Sequence, residues 1–215
     1  MSNRIETDIN RLLSTLRDLA RQGRRLVAVA GPPGSGKSTL CEAIAETLNR
    51  ESLGLAAIVP MDGFHYDDAI LRARGTLARK GAPITFDVGG LAALLARLRA
   101  NLESEIAVPV FDRDLEISRA GARLIPAETP LLLVEGNYLL LDAPPWINLA
   151  QLFDLTVALQ VPRDELMRRL IQRWLDQGME RSFAEGKVVE NDLPNADLVL
   201  AHSRPAELVI GSHKV

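Results

Sequence analysis

Apolar positions near the start of the chain recur in three- and four-residue steps: Ile5, Ile9, Leu12, Leu13, Leu16 and Leu19, with charges between them. That period predicts an amphipathic helix over residues 3–22, closed by Gly23. The pattern then changes. Leu26–Ala30, Ala56–Val59, Leu131–Val134 and Leu155–Val161 are short apolar runs rich in Val and Leu, which predicts strands of a buried parallel sheet. Helical patterns stand between them, over Thr39–Arg50, Leu91–Leu102 and Asp164–Gln177, the last ending at Gly178. Ile106–Phe111 alternates as a strand interrupted by Pro109, and Leu198–Leu200 and Leu208–Ile210 are late strand candidates. Residues 61–87 are polar and poorly periodic, a loop with a short helix. Strands alternating with helices predict an α/β layered fold with a mainly parallel sheet, in which 61–87 and 112–125 are excursions over one edge.

Composition narrows the class. In 215 residues, 47% apolar and 25% charged positions describe a globular chain rather than a disordered one. The net charge of −3 argues against a nucleic-acid binder that relies on broad positive charge. One cysteine, Cys41, and three histidines exclude a disulfide framework and a cysteine-based zinc site, and Cys41 reads as a small core residue. Residues 1–25 show no apolar signal core, and no uncharged apolar run approaches the ~18 residues that a membrane span needs. The expectation is a cytoplasmic protein without membrane or nucleic-acid partners.

One segment carries specific chemistry. Gly31-Pro-Pro-Gly34-Ser35-Gly36-Lys37-Ser38 fits G-x-x-x-x-G-K-[ST] at every constrained position, after an apolar strand and before a helix. With 15 Gly, 4 Lys and 18 Ser plus Thr in the chain, chance gives roughly one such match in several hundred chains of this usage, so an ordinary Gly/Pro turn is a poor account of it. Such a loop converges backbone N–H groups on phosphate oxygens at the positive end of a helix. Lys37 is expected to reach the β- and γ-phosphates of ATP and Ser38 to ligate Mg²⁺, with Gly31, Gly34, Ser35, Gly36 and Thr39 completing the nucleotide set.

Two acids are candidate partners. Glu135 follows the Leu131–Val134 run, where a carboxylate can orient Mg²⁺ or its waters; a capping acid is the alternative. Gly136 beside it suggests a close backbone approach. Asp62, in Met61-Asp62-Gly63-Phe64-His65-Tyr66, stands at the carboxyl end of a strand, where open α/β sheets bind ligands. A phosphotransferase needs a carboxylate there to orient the acceptor hydroxyl and take its proton, whereas an Asp-Gly turn would have no such duty. His65 and Tyr66 are candidate acceptor contacts, as is Asn137.

Gly31–Ser38, Met61–His65, Phe86-Asp87, Pro109–Asp112, Val134–Gly136 and Arg168-Arg169 occur in an order that resembles the P-loop kinases of the uridine kinase, phosphoribulokinase and bacterial pantothenate kinase family. The resemblance runs from about residue 25 to 202 and is strongest to bacterial proteins labelled fructose-transport-system or nucleoside-triphosphate-hydrolase kinases. It implies a five-stranded parallel sheet in a single domain over 25–215, with a substrate lobe near 61–125 and a lid near 163–190. The N-terminal helix, residues 1–24, lies outside the resemblance and is free to pack on a second chain as a homodimer would. The resemblance also implies transfer of the ATP γ-phosphate to a small-molecule hydroxyl, with Asp62 as base and Phe86, Asp87, Phe111 and Asp112 facing the acceptor. Arginines of the helix after Pro162 are then lid groups over ATP. Arg169 matches the relatives' pattern directly and Arg173 with a one-residue offset; an exposed face pairing with Asp164, Glu165 and Asp176 is the alternative. Residues 111–119 lack the Tyr and His that uridine kinases carry after this motif, which disfavours a pyrimidine nucleoside. Asp112, Arg113 and Asp114, with Arg119 beyond, could instead grip a polyhydroxylated or anionic acceptor, or form a solvated hairpin. Trp174 reads as a packing residue and Asn191–Asp197 as a structural turn, the alternative implied by the resemblance being a place near the adenine of ATP.

A sugar of the fructose type is the leading acceptor, a nucleoside or pantothenate the alternative. A nucleotide-dependent switch acting on a protein is the competing class, and the acid-bearing 61–87 segment speaks against it.

Overall fold

The structure is a computed structural model that describes residues 5–211. Its central sheet is parallel, in the order β1(Ile5–Glu6), β8(Leu208–Gly211), β7(Leu155–Gln160), β2(Arg25–Ala30), β6(Leu131–Gly136), β3(Ala56–Pro60). The expected five strands are joined at one edge by the two-residue β1. β2 and β6 at the centre are almost wholly buried because helices cover both faces, which is why they read as unbroken apolar runs.

Alternation along the strands divides the core. Val27, Val29, Leu131, Leu133 and Val157 face α1(Ile9–Ala20) and α2(Lys37–Glu51). Leu26, Ala28, Leu132 and Val134 face α4(Val88–Ala100), Trp146, Tyr138 and the apolar side of an antiparallel hairpin, β4(Glu105–Asp112) and β5(Ile117–Pro126). Pro109 has no N–H for the ladder, and the register shifts between Val108 and Val110. A short α3(Asp68–Ala73) stands between β3 and α4. A third cluster joins α5(Arg163–Asp176), α6(Arg181–Lys187) and α7(Leu193–His202) through Leu166, Leu170, Val188 and Leu193.

Three expectations are corrected. The first helix begins at Ile9: the Asp8 carboxylate accepts the Arg11 N–H at 2.8 Å and caps it, while Ile5–Glu6 pairs with β8. Residues 3 and 4 of the expected helix lie outside the described residues. Leu198–Leu200 belongs to α7 rather than a strand; Pro194 in the first turn is compatible with a helix start. Asn191–Asp197 is no turn either, because a π-helical stretch, Val188–Asp192, links α6 to α7 without a break.

Candidate active site

The phosphate loop joins β2 to α2. Gly36 caps α2 at φ 88°, a left-handed conformation open to glycine, and no side chain caps the helix. The first N–H groups of α2 are therefore left to an anion, the arrangement that a triphosphate fits. Across β2 and β6, the Ser38 hydroxyl donates to Glu135 Oε2 at 3.0 Å. Glu135 is 8% exposed, and burial pushes its carboxyl above the ordinary range, with the neighbouring Asp62 charge adding to the shift and Lys37 opposing it. A hydroxyl and a carboxylate are hard oxygen donors suited to Mg²⁺, and an acid so placed gains from a divalent cation. Among the described residues no group of three or more His, Cys, Asp or Glu could hold a metal ion.

Asp62 lies where β3 ends, in a single 3₁₀ turn, Met61–Phe64. The turn is pressed between β4 and β6: a Cβ on Gly63 would strike the Pro109 carbonyl, and one on Gly136 would come within 2.5 Å of Met61. The close approach expected at Gly136 is thus the Met61 side chain. Arg113 Nη2 donates to Asp62 Oδ2 at 2.9 Å. Burial acts to raise the Asp62 carboxyl, but the nearby charges of His65, Lys37 and Arg113 outweigh it, and the group is held below the usual carboxylate range. His65 donates from Nδ1 to the Asp62 carbonyl at 2.8 Å, and its ring sits between Phe86 and Phe111 at centroid distances of 4.0 and 4.7 Å. Burial lowers the His65 pKa against the pull of Asp62.

Lys37, Ser38, Thr39, Asp62, His65 and Phe86 line one cleft of about 350 Å³. Gly34, Gly36, Phe111, Arg113, Asn137 and Arg173 line it as well. Ser35 is buried within the loop behind it, and a Cβ on Gly31 would meet the Ser35 hydroxyl at 2.6 Å.

Other expected groups lie elsewhere. Tyr66 is half-buried beneath Arg74, whose guanidinium is 4.4 Å from the ring centroid, and it does not line the cleft. Asp87 caps α4, accepting the Gly90 N–H at 2.9 Å. Asp112 holds the hairpin turn, accepting the N–H groups of Asp114 and Leu115 and a bond from Arg119. Both carboxylates bond within their own turns, and neither lines the cleft. Arg169 donates to Glu165 at 2.7 Å and approaches the Ser35 carbonyl at 3.4 Å, on the outer side of the loop. Arg168 is exposed and paired with Glu165, so Arg173 is the arginine of α5 that enters the cleft, where it meets Asp192 at 3.4 Å.

The cleft is also lined by Lys80 and Lys187, for which the sequence suggested no role, and by Asn191, Asp192 and Asn195 of the stretch expected to be a turn. Trp174 also lines the cleft and donates from Nε1 to Asp192 at 2.7 Å, so it does more than pack. One signal was available. The chain has 4 lysines against 21 arginines, and each lysine among the described residues, Lys37, Lys80 and Lys187, lines this cleft.

The family model described as "AAA ATPase domain" matches residues 6–175. An uncharacterized protein of Escherichia coli, YggC, is 38% identical over 93% of this chain and 82% of its own length. A "Putative uridine kinase" of Schizosaccharomyces pombe is 32% identical over 89% of this chain and 85% of its own. The crystal structure of a "putative fructose transport system kinase" from Silicibacter sp. superposes with a TM-score of 0.84 at 42% identity, over 92% of this chain and 98% of that one. With the phosphate loop, the paired Ser38 and Glu135 and the shared cleft, these likenesses place the chain among the phosphate-loop proteins that the AAA ATPase domain model covers and, among them, in the family of P-loop kinases related to uridine kinase, pantothenate kinase and phosphoribulokinase.

Proposed function

We propose that this P-loop kinase, a phosphotransferase with a hydroxyl acceptor, passes the γ-phosphate of ATP to a small polyhydroxylated metabolite, a free sugar of the fructose type first. The observation that carries this reading is that Asp62 and Lys37 line one cleft while Arg113 engages only Oδ2 of the Asp62 carboxylate. The α2 N-terminus and Lys37 bind the β- and γ-phosphates. Oδ1 of Asp62 accepts the acceptor hydroxyl and orients its oxygen toward the γ-phosphorus. A carboxylate of lowered pKa is a weak base, but phosphoryl transfer through a loose transition state asks chiefly for orientation, with the proton leaving late. Ser38 and Glu135 would hold Mg²⁺, which when bound neutralises charge on the phosphate oxygens. Residues 163–190 act as a lid that brings Arg173 over the transferring group and excludes water.

A sugar suits the ring wall of Phe86, His65 and Phe111 beside polar groups, and the likeness to the Silicibacter protein supports it. The test is ATP consumption with D-fructose, uridine and pantothenate as separate acceptors. D-fructose should raise turnover well above the rate without acceptor, and Lys37→Ala should abolish the stimulation. If no acceptor raises turnover, or if Lys37→Ala retains it, the reading fails. Among the described residues no helix is long and apolar enough to cross a membrane.

A further inference from the structure

The cleft wall opposite the phosphate loop contains a buried group that no part of the reading above uses. Asn191 stands in the π-helical turn Val188–Asp192, is 5% exposed and lines the cleft. Its Nδ2 donates to the Lys80 carbonyl at 3.0 Å, which settles which end of the amide is oxygen. Oδ1 has no hydrogen-bond partner among the described residues. Leaving such an atom buried and unpaired is costly, and unpaired groups of this kind collect at functional sites. π-helical insertions also mark such sites, and this one turns Asn191 and Asp192 inward together.

The surroundings hold Asn191 in place. Arg79 donates to the Glu190 carbonyl at 2.8 Å and to Asn195 Oδ1 at 3.2 Å, and Tyr138 Oη donates to the Gly81 carbonyl at 2.6 Å. The 79–81 loop is thereby strapped to the turn on one side and to the segment following β6 on the other. Rotating the Asn191 amide to satisfy Oδ1 would break its bond to Lys80.

An amide oxygen can only accept, so its partner must donate. Lys80 and Lys187 line the same cleft, but so do Asp62, Glu116 and Asp192, so the lining does not select a charged donor. A hydroxyl is the donor that the polyhydroxylated acceptor proposed above supplies. We propose that Asn191 determines acceptor specificity, its Oδ1 receiving a hydrogen bond from an acceptor hydroxyl other than the one phosphorylated. This deepens the kinase reading and rests on it, since it presumes that the acceptor occupies this end of the cleft.

The test uses the full chain, D-fructose and its monodeoxy analogues. Two readouts run side by side: ATP consumption, and acceptor binding followed by tryptophan fluorescence, because Trp174 lines the cleft. For the wild type, removal of one hydroxyl should weaken both by about ten- to hundredfold, the scale of a lost hydrogen bond with a buried acceptor left unpaired. Asn191→Leu should raise the KM for D-fructose by a similar factor, leave kcat within about threefold, and erase discrimination against that analogue. Asn191→Asp keeps an oxygen but loses the donor to Lys80, so it should retain the discrimination; a purely structural strap would make Asp and Leu equally damaging. Unchanged KM and discrimination in Asn191→Leu, with D-fructose still phosphorylated, overturn the inference and leave the kinase reading standing. Equal damage in the two variants overturns it too, as does weakened ADP binding with no change in acceptor KM. Asn191-dependent sugar binding without stimulated turnover would instead sink the sugar-kinase reading and keep the hydroxyl contact. If D-fructose neither binds nor stimulates turnover, both fall.

Discussion

The two walls of the cleft are built differently. The phosphate wall is one contiguous segment, Gly31–Thr39, whose binding groups are backbone N–H donors fixed by a strand–loop–helix turn. The opposite wall is assembled from side chains far apart in the chain: Asn191 bonds to Lys80 across 111 residues and Arg79 to Asn195 across 116. A backbone site serves every triphosphate and depends on loop geometry. A side-chain site depends on each contributor separately and can change its ligand by single substitutions while the fold is kept.

Asp62 stands between the walls, and replacing it gives the largest expected effect. Asp62→Asn is isosteric and keeps an oxygen for Arg113, but removes the charge and the proton acceptor. Turnover should fall by about 10²–10⁴ while ATP affinity stays within about twofold. Steady-state kinetics beside calorimetric nucleotide titration checks this. A variant losing ATP affinity and turnover in parallel would move Asp62 to the phosphate wall and erase the contrast.

A smaller loss is expected from the strap. Arg79→Ala removes the bonds to the Glu190 carbonyl and Asn195 Oδ1, at about 1–3 kcal/mol. In a chain of this size each kcal/mol lowers Tm by about 2–4 °C. The acceptor KM should rise by about threefold to tenfold with ATP KM unchanged, because the phosphate loop does not touch Arg79. An equal rise in both constants would show that the walls are mechanically one body.

The same contrast explains what could be read from the sequence. The phosphate loop, the central strands and the Asp62 turn are local patterns: apolar runs bounded by glycines, and a carboxylate just beyond a strand. Leu198–Leu200 deceived because a Leu-Val-Leu run fits a strand as well as a buried helix turn, and tertiary packing of α7 decides between them. Asp87 and Asp112 show another limit: a carboxylate in a motif can also serve a helix cap or a hairpin turn, and only the fold shows which N–H groups it faces. Asn191 and Lys80 carry no local signature, since their role exists only once the loop and the π-helical turn meet.

The smallest effect expected is an increase in stability on the phosphate wall. Burial raises the Glu135 pKa, so the folded state binds that proton more tightly than the unfolded chain does. Its contribution to stability is full at pH values below the unfolded pKa and is lost as pH rises through the folded one. Asp62 runs the other way: its lowered pKa gives stability above the unfolded pKa, lost as pH falls through the folded value. Wherever the Glu135 carboxyl is ionised, its burial therefore costs stability. Glu135→Gln can still accept from Ser38, removes that charge, and should raise Tm at pH 7 by about 2–4 °C, as relief of roughly 1 kcal/mol does in a chain of this length. Turnover at limiting Mg²⁺ should fall in the same variant. Thermal unfolding without nucleotide, measured from pH 4 to 8, separates the two carboxyls: the gain from Glu135→Gln should shrink toward acid pH, where wild-type Glu135 is already neutral. A gain independent of pH would assign it to packing rather than charge, and a fall in Tm at pH 7 would make Glu135 a structural partner of Ser38 instead of a group kept for a cation.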